Sequence, residues 1–180
     1  NATLYTYDDY GRLDCVEGPE GITEYAYNGL NTAISTPSVH KTTQLNSSGF
    51  LEYETTGSDT GDSKKVSYTY YPTGQVKSAT PDGGSPVTME YDIQGNRTKL
   101  IDPDAGTITN TYNAFGQMKY QLQNVHNNNT PVSISYIYDT NNRLVNREAV
   151  HGNTLTLTYY TYDAKFKDKP YIITTDPTQS

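Results

Sequence analysis

A repeat with a period of 21 residues most constrains what this chain can fold into. Three tyrosines in the middle of the chain are spaced by 21 residues, and each is followed four residues later by a glycine. The three pairs are Tyr70 and Gly74, Tyr91 and Gly95, and Tyr112 and Gly116. A fixed period of this length is typical of a repeat architecture, in which one supersecondary unit recurs along the chain. The fold is therefore expected to be a tandem array.

The letters of one unit predict a β-hairpin. Before Tyr70, large residues alternate with polar ones, since Val66 and Tyr68 stand at the alternate positions. Period two is the signature of a strand that buries one face. The glycine then permits a tight turn, and a second strand follows. We expect successive hairpins to pair into one long, curved antiparallel sheet that stays open, with about sixteen short strands.

Extending the pattern outward gives eight repeats with anchors near residues 7, 27, 45, 70, 91, 112, 138 and 162. The remaining anchor and turn positions are Tyr7 with Gly11, Tyr27 with Asn31, Leu45 with Gly49, Tyr138 with Asn142, and Tyr162 with Phe166. Asparagine is expected at the turn because it tolerates a left-handed backbone better than other non-glycine residues. The array is assigned to residues 1–175, and residues 176–180 are expected to form a tail. The chain opens in mid-pattern, so we expect it to be a segment of something longer.

Composition and charge support β structure and exclude some partners. The chain has 18 tyrosines and no tryptophan, and tyrosine favours pleated, half-buried surfaces. Its net charge is −7, and no basic stripe suits a nucleic acid. No apolar run is long enough to cross a membrane as a helix. Cys15 is the only cysteine, so no internal disulfide is expected.

Two copies of the turn carry the fullest signature and a resemblance. Tyr7 to Leu13 reads Tyr-Asp-Asp-Tyr-Gly-Arg-Leu, and Tyr91 to Arg97 reads Tyr-Asp-Ile-Gln-Gly-Asn-Arg. This pattern resembles the YD repeat of the Rhs family. That family includes bacterial Rhs and wall-associated toxins, the shell subunits of insecticidal toxin complexes, and the teneurins. The resemblance extends from Leu4 to about Asp163.

The resemblance implies a fold and a role. In relatives, many such hairpins form a hollow shell around a C-terminal toxin, and the shell is not catalytic apart from a self-cleaving region near its end. This chain would then be an open fragment of an Rhs-type shell, from a protein that is secreted or on the bacterial cell surface. Its partners would be neighbouring repeats and an enclosed toxin cargo. Exposed sheet edges would also permit a homo-oligomer.

The residues themselves do not predict an enzyme. His40, His126 and His151 are far apart in the sequence. Most aspartates stand at repeat turns, where the side chain bonds its own backbone. Asp102 and Asp104 have calcium-like spacing but lack the further ligands of an EF-hand loop, so they are weak metal candidates. No phosphate-binding or nucleophile motif occurs, and no cofactor is expected.

The tyrosines leave two roles open. Because the anchors recur in every unit, we interpret them as a structural ladder in which the rings stack on each other. Tyrosines outside the register are better candidates for binding a ligand such as a glycan, because the fold does not require them. These are Tyr10, Tyr53, Tyr71, Tyr120 and Tyr159.

Three hypotheses follow for the function. The first is a non-catalytic structural repeat segment of a larger secreted or surface protein. The second is an adhesin-like module that binds a glycan or a cell surface. The third is that the parent protein is a secreted toxin, for example a nuclease, whose active domain lies beyond this chain.

Overall fold

The structure is a computed structural model and describes residues 2–58, 61–126, 130–166 and 169–179. Its elements are all strands, which form two compact units, Asn1–Pro86 and Val87–Ser180. The first unit contains β1 (Leu4–Tyr7), β2 (Leu13–Gly18), β3 (Gly21–Asn28), β4 (Asn31–Ser35), β5 (His40–Leu45), β6 (Leu51–Gly57), β7 (Ser63–Tyr70) and β8 (Val76–Pro81). The second contains β9 (Val87–Tyr91), β10 (Arg97–Asp102), β11 (Gly106–Tyr112), β12 (Met118–Val125), β13 (Val132–Tyr138), β14 (Leu144–His151), β15 (Thr154–Tyr162) and β16 (Pro170–Gln179).

Within each unit the strands are ordered in the sheet as they are in the sequence, from β1 to β8 and from β9 to β16. Within each unit, every strand pairs antiparallel with its neighbours in the chain, for example β1 with β2 and β11 with β12. This is the arrangement that alternating short strands and tight turns predict. The prediction of an all-β array of tandem hairpins is confirmed.

A β-bulge marks the anchor end of most hairpins. The register shifts at the anchor, as between Thr6 and Tyr7 or between Thr69 and Tyr70. The turn glycines that follow have φ between 76° and 90°, at Gly11, Gly49, Gly74, Gly95 and Gly116. A bulge next to a left-handed residue is the usual way for a short loop to close two twisted strands.

Asparagine replaces the glycine in one hairpin but not in another. Asn142 has a φ of 62°, in the left-handed region. The same prediction for Asn31 is wrong, because Asn31 begins β4 and pairs directly with Asn28. The loop between them is only two residues long, and Gly29 takes the positive φ of 61°. A glycine at the first of the two loop positions is typical of a type II′ hairpin, and it replaces the longer loop of the other repeats here.

The pairing register assigns the anchor tyrosines of each unit to one face of its strands. In unit 1 the register places Tyr27 and Tyr70 on one face, and in unit 2 it places Tyr112, Tyr138 and Tyr162 on one face. We call this the anchor face of each unit. Alternate residues point to the opposite face, as successive side chains of a strand must.

The core is thin. Ile134 is the one apolar residue that is buried in the described part of the chain, at 6% exposed. Asn110 and Thr158 are buried polar residues of the same unit. Most other strand residues are half-buried, so burial contributes little per residue, and contacts between neighbouring hairpins become more important to the stability.

The end of the array differs from the expected tail. The sequence predicts that the array ends before Asp176, whereas β16 continues to Gln179 and pairs with β15. Because β15 presents an unpaired edge with nine residues, a facing strand of matching length satisfies its backbone groups. Ile172 and Ile173 are part of this strand.

Candidate functional site

The residue after most of the anchors caps the hairpin turn. The Asp8 Oδ1 atom accepts hydrogen bonds from the backbone N–H groups of Tyr10 and Arg12, both at 2.9 Å. The same pair of bonds, to the residues two and four positions later, is accepted by Asn46, Asp92, Asn113 and Asp139. Asp and Asn suit this position because their short side chains reach nearby backbone N–H groups. This explains why aspartate follows tyrosine in the repeat.

In two repeats the capping aspartate also pairs with arginine. The Asp8 Oδ2 atom accepts hydrogen bonds from Arg12 Nε and NH2, both at 2.7 Å. Asp139 and Arg143 form the same two-pronged pair, at 2.8 and 2.7 Å. This geometry fixes the arginine side chain in one orientation, although the exposed pair itself adds little to the stability.

These contacts shift the pKa values of the turn carboxyls. Hydrogen bonding from the Arg143 backbone lowers the pKa of Asp139 despite partial desolvation, and the Arg143 side chain lowers it further. The Asn96 side-chain amide is the main cause that lowers the pKa of Asp92. Desolvation would raise the pKa of Asp8, but hydrogen bonds from Arg12 outweigh it and the pKa is lowered. These carboxylates stay ionised because the turn stabilises their charged form.

Five anchor tyrosines join their hairpin to the preceding one. The Tyr27 hydroxyl donates a hydrogen bond of 2.9 Å to the carbonyl oxygen of Leu13, the sixth residue after the preceding anchor. Four further tyrosines donate to the equivalent carbonyl at 2.8 Å: Tyr70 to Leu51, Tyr112 to Arg97, Tyr138 to Met118, and Tyr162 to Leu144. Each acceptor is the first residue of the second strand of the preceding hairpin. We call this contact, with the side chain that covers the ring, the repeat junction.

In three of these junctions the fifth residue after the preceding anchor covers the tyrosine ring. The Arg12 guanidinium carbon lies 4.2 Å from the centre of the Tyr27 ring, and that of Arg143 lies 4.6 Å from the centre of the Tyr162 ring. In the junction of Tyr70, the Phe50 ring takes the place of the arginine and stacks on the Tyr70 ring, with ring centres 4.9 Å apart. A cation or an aromatic ring over a tyrosine face is favourable in both cases.

The ladder is therefore built differently from the predicted stack of tyrosine on tyrosine. Each anchor strand is separated from the next by one intervening strand, so adjacent anchors are about 10 Å apart, which is too far for their rings to stack. The side chains of Arg12, Phe50 and Arg143 supply the missing layer. The sequence reasoning overlooked these three residues. The arginine after glycine in Tyr-Asp-x-x-Gly-Arg was the available signal.

The candidate ligand-binding tyrosines are not brought together. Tyr53 and Tyr120 are half-buried and face away from the anchor face of their units, and the Lys65 ammonium lies 4.0 Å from the centre of the Tyr53 ring. Tyr159 is exposed on strand β15. Tyr10 is 84% exposed at a turn. Tyr71 is half-buried beside an anchor-face groove.

The candidate metal and acid–base residues have structural contacts. The Asp102 Oδ1 atom accepts N–H bonds from Asp104 and Ala105 at 2.9 and 3.0 Å, which lower the pKa of Asp102. His40 Nδ1 lies 2.8 Å from Ser35 Oγ. Across the described residues, no three His, Cys, Asp or Glu side chains are grouped to hold a metal ion. Nor does this part of the chain contain a helix with the length and apolar character needed to span a membrane.

The fold and the repeat junction define an all-β protein of tandem, serially linked hairpins. Residues 70–107 match the family model described as RHS Repeat. The chain thus carries RHS repeat sequence, and the resemblance to the Rhs/YD-repeat family is confirmed. The comparison with curated proteins gives no match.

Solved structures share the fold. TcdB2-TccC3 matches with a TM-score of 0.61 at 17% identity, over 99% of this chain and 12% of that chain. TcdB2-TccC3 without its hypervariable C-terminal region matches with a TM-score of 0.61 at 18% identity, over 97% of this chain and 11% of that chain. The Tc holotoxin pore of Photorhabdus luminescens with a TccC3 mutation matches with a TM-score of 0.58 at 18% identity, over 97% and 11%. This chain is similar to a small part of each of these proteins.

Proposed function

We propose that this chain is a non-catalytic wall segment of a larger secreted or cell-surface protein, in which RHS repeats enclose a C-terminal cargo. The observation that carries the proposal is the repeat junction. One hydrogen-bonding geometry joins five pairs of neighbouring hairpins, of which the first is Tyr27 with Leu13 and the last is Tyr162 with Leu144. A contact that repeats without change lets a wall be extended by identical units.

The comparisons support the same role. The match to TcdB2-TccC3 covers 99% of this chain but only 12% of that chain, which is the relation of a segment to a long array. The anchors and turn residues are accounted for by structural contacts, which leaves few polar groups for chemistry. We propose that residues 1–175 act as a structural array, and that any toxin activity of the parent protein lies in another part of it.

Limited proteolysis of the longer protein that carries this segment tests the wall role. We expect its C-terminal part to resist protease, and the double variant Tyr112→Ala/Tyr138→Ala to expose it, because two repeat junctions are lost. Tyr120→Ala is the matched control, since Tyr120 faces away from the anchor face. If the C-terminal part of the unaltered protein is cleaved as fast as that of the double variant, the wall role is wrong.

Activity of the purified chain tests the non-catalytic role separately. We expect no cleavage of RNA or DNA when the chain is incubated with either, with or without Mg²⁺. Cleavage that co-purifies with the chain and disappears on its unfolding would show that the segment has a catalytic function of its own.

A further inference from the structure

A small apolar hollow lies on the anchor face of unit 2, beside the turn between β10 and β11. It has a volume of about 280 Å³, and Leu100, Ile108 and Val125 line it. The pairing places these residues on one face, because Leu100 pairs with Ile108, and Val125 pairs with Gly106, two residues before Ile108. Gly106 has no side chain to fill the space between them. The hollow is therefore present in the sheet before any ligand arrives.

The walls of the hollow suit an aliphatic ligand. Leu100 and Ile108 are half-buried, and Val125 is 45% exposed, so each has apolar surface left to cover. Ala105 is a further apolar lining residue, and none of the described lining residues is aromatic. A ligand is therefore recognised here by burial of methylene groups rather than by stacking on a ring. The volume is just below the usual range of small-molecule sites, which favours a short ligand.

Asp102 supplies a charged acceptor at the edge of the hollow. It lies on the same face as Leu100, two residues earlier, and its Oδ1 atom accepts the N–H bonds of Asp104 and Ala105. In the described part of the chain, no hydrogen bond or ion pair reaches its Oδ2 atom. Hydrogen bonds from the Ala105 and Asp104 backbone lower the pKa of Asp102, so its carboxylate is ionised at neutral pH.

Gln123 presents the second acceptor. Its pairing with Ile108 places it on the same face. Its Nε2 atom donates to Gln121 Oε1 at 2.6 Å, while its Oε1 atom accepts no hydrogen bond from any residue that the structure describes. The other polar side chains at the hollow, those of Thr107 and Asn124, alternate to the opposite face. The ligand must therefore supply the donors, and the carboxylate favours a cation.

We propose that this hollow binds an aliphatic primary ammonium group. The methylene chain of the ligand packs against Leu100, Ile108 and Val125. Its N–H groups donate to Asp102 Oδ2 and Gln123 Oε1. An ammonium group has three donors and no acceptor, which matches the polar atoms of the hollow. A free amine and a lysine side chain carry this same chemistry. The inference goes beyond the wall role and does not depend on it, because the hollow lies within a single unit.

The test is an NMR titration of the full chain at neutral pH with pentylamine, and with 1-pentanol as the neutral ligand of the same chain length. We expect saturable shifts of the Gly106 and Val125 amides with pentylamine. Binding of 1-pentanol should be weaker by about tenfold, because it cannot form a hydrogen bond between two charged groups. Nα-acetyl-lysine methylamide presents the same ammonium group on a peptide backbone. Whichever amine binds more tightly identifies the source of the ligand.

Two substitutions in one turn separate this site from the general charge of the chain. Asp102→Asn keeps an Oδ1 acceptor for the turn, as Asn46 and Asn113 do in other turns, so its circular dichroism should be unchanged. Its affinity for pentylamine should fall by about tenfold. Asp104→Asn is the matched control, because it removes the same charge from an exposed residue that does not line the hollow. It should change the affinity by less than about twofold.

Three results would overturn the assignment. The first is no saturable binding of either amine. The second is binding of 1-pentanol to the unaltered chain as tight as that of pentylamine, which would make the hollow an apolar site without a cation. The third is an affinity for pentylamine that Asp102→Asn leaves intact, or that Asp104→Asn lowers equally. The second result needs no variant, so the proposal is tested even if Asp102→Asn does not fold. None of these outcomes bears on protease protection in the longer protein, so the two proposals fail independently.

Discussion

The guanidinium carbon of Arg143 lies 4.6 Å from the centre of the Tyr162 ring, across the boundary between two repeats. The NH2 atom of the same guanidinium lies 2.7 Å from Asp139 Oδ2. The Tyr162 hydroxyl donates a hydrogen bond of 2.8 Å to the Leu144 carbonyl oxygen. Turn, ring and backbone are thus connected in one short chain of contacts. The aspartate orients the arginine, the arginine covers the tyrosine, and the tyrosine fixes the next hairpin.

Arg143→Ala should lower the free energy of unfolding by about 1 kcal/mol, because it removes the contact between the guanidinium and the Tyr162 ring. Chemical denaturation of the full chain measures this. A double-mutant cycle with Tyr162→Leu should show a coupling energy of about 0.5–1 kcal/mol between the two side chains. Additive single effects would mean that the arginine acts only within its own turn.

Tyr112→Phe should cost about 1 kcal/mol of stability, because it removes the hydroxyl that bonds the Arg97 carbonyl but keeps the ring. Tyr120→Phe is the matched control, on the same hairpin and the opposite face, and should change the stability by less than about 0.5 kcal/mol. Thermal unfolding of both variants compares them. Equal losses would show that the hydroxyl bond between repeats is not the source of the effect.

Two glycine substitutions separate backbone strain from steric overlap. Gly11 has a φ of 76°, and a Cβ there would meet nothing within 4 Å, so Gly11→Ala should cost about 1–2 kcal/mol from strain alone. Gly106 has a φ of 111°, and its Cβ would overlap the Asn124 carbonyl oxygen. Gly106→Ala should therefore cost more than about 3 kcal/mol, or prevent folding of that hairpin. Thermal unfolding followed by circular dichroism compares the loss of stability in the two variants. A smaller loss for Gly106→Ala than for Gly11→Ala would contradict the close approach of the Asn124 backbone to Gly106.

Stability should depend on pH through the turn carboxyls. The pKa of Asp139 is below its ordinary value of 3.8, because hydrogen bonds from Arg143 favour the ionised form. The unfolded chain then binds the proton more readily, so the stabilisation is present above about pH 4 and is lost as the pH falls through the lower folded pKa. Asp139→Asn keeps the Oδ1 cap and should show a smaller loss of stability between about pH 5 and pH 3. If the variant loses as much stability as the unaltered chain between about pH 5 and pH 3, the Asp139 carboxyl does not cause the pH dependence.

The periodic sequence pattern predicts the hairpins well because each hairpin is formed by residues that are close together in the sequence. Alternation, a turn glycine and a preceding Asp lie within a few residues, so the number and order of strands follow from the chain itself. The second hairpin shows where this fails. The spacing from Tyr27 pointed to Asn31, but Asn28 and Gly29 form a shorter turn that competes for the same residues. Two local signals overlapped, and periodicity alone did not decide between them.

The repeat junction was harder to predict because it joins residues that strand pairing does not make neighbours. Tyr27 reaches Leu13 across a strand, and whether Arg12 or another tyrosine covers its ring depends on the distance between alternate strands. That distance is set by the geometry of the sheet, and the order of residue types along the chain does not show it.

The uniform direction of the tyrosine bonds has a consequence for how such arrays change in length. Every junction tyrosine donates towards the N-terminal side, and its acceptor begins the second strand of the hairpin before it. When one whole hairpin is removed, the tyrosine hydroxyl of the next hairpin meets an equivalent backbone carbonyl in the hairpin before it, so the same hydrogen bond can form again. Removal of a single strand reverses the direction of everything that follows and leaves donors facing the wrong backbone. Evolutionary gains and losses in such an array should therefore come in complete hairpins.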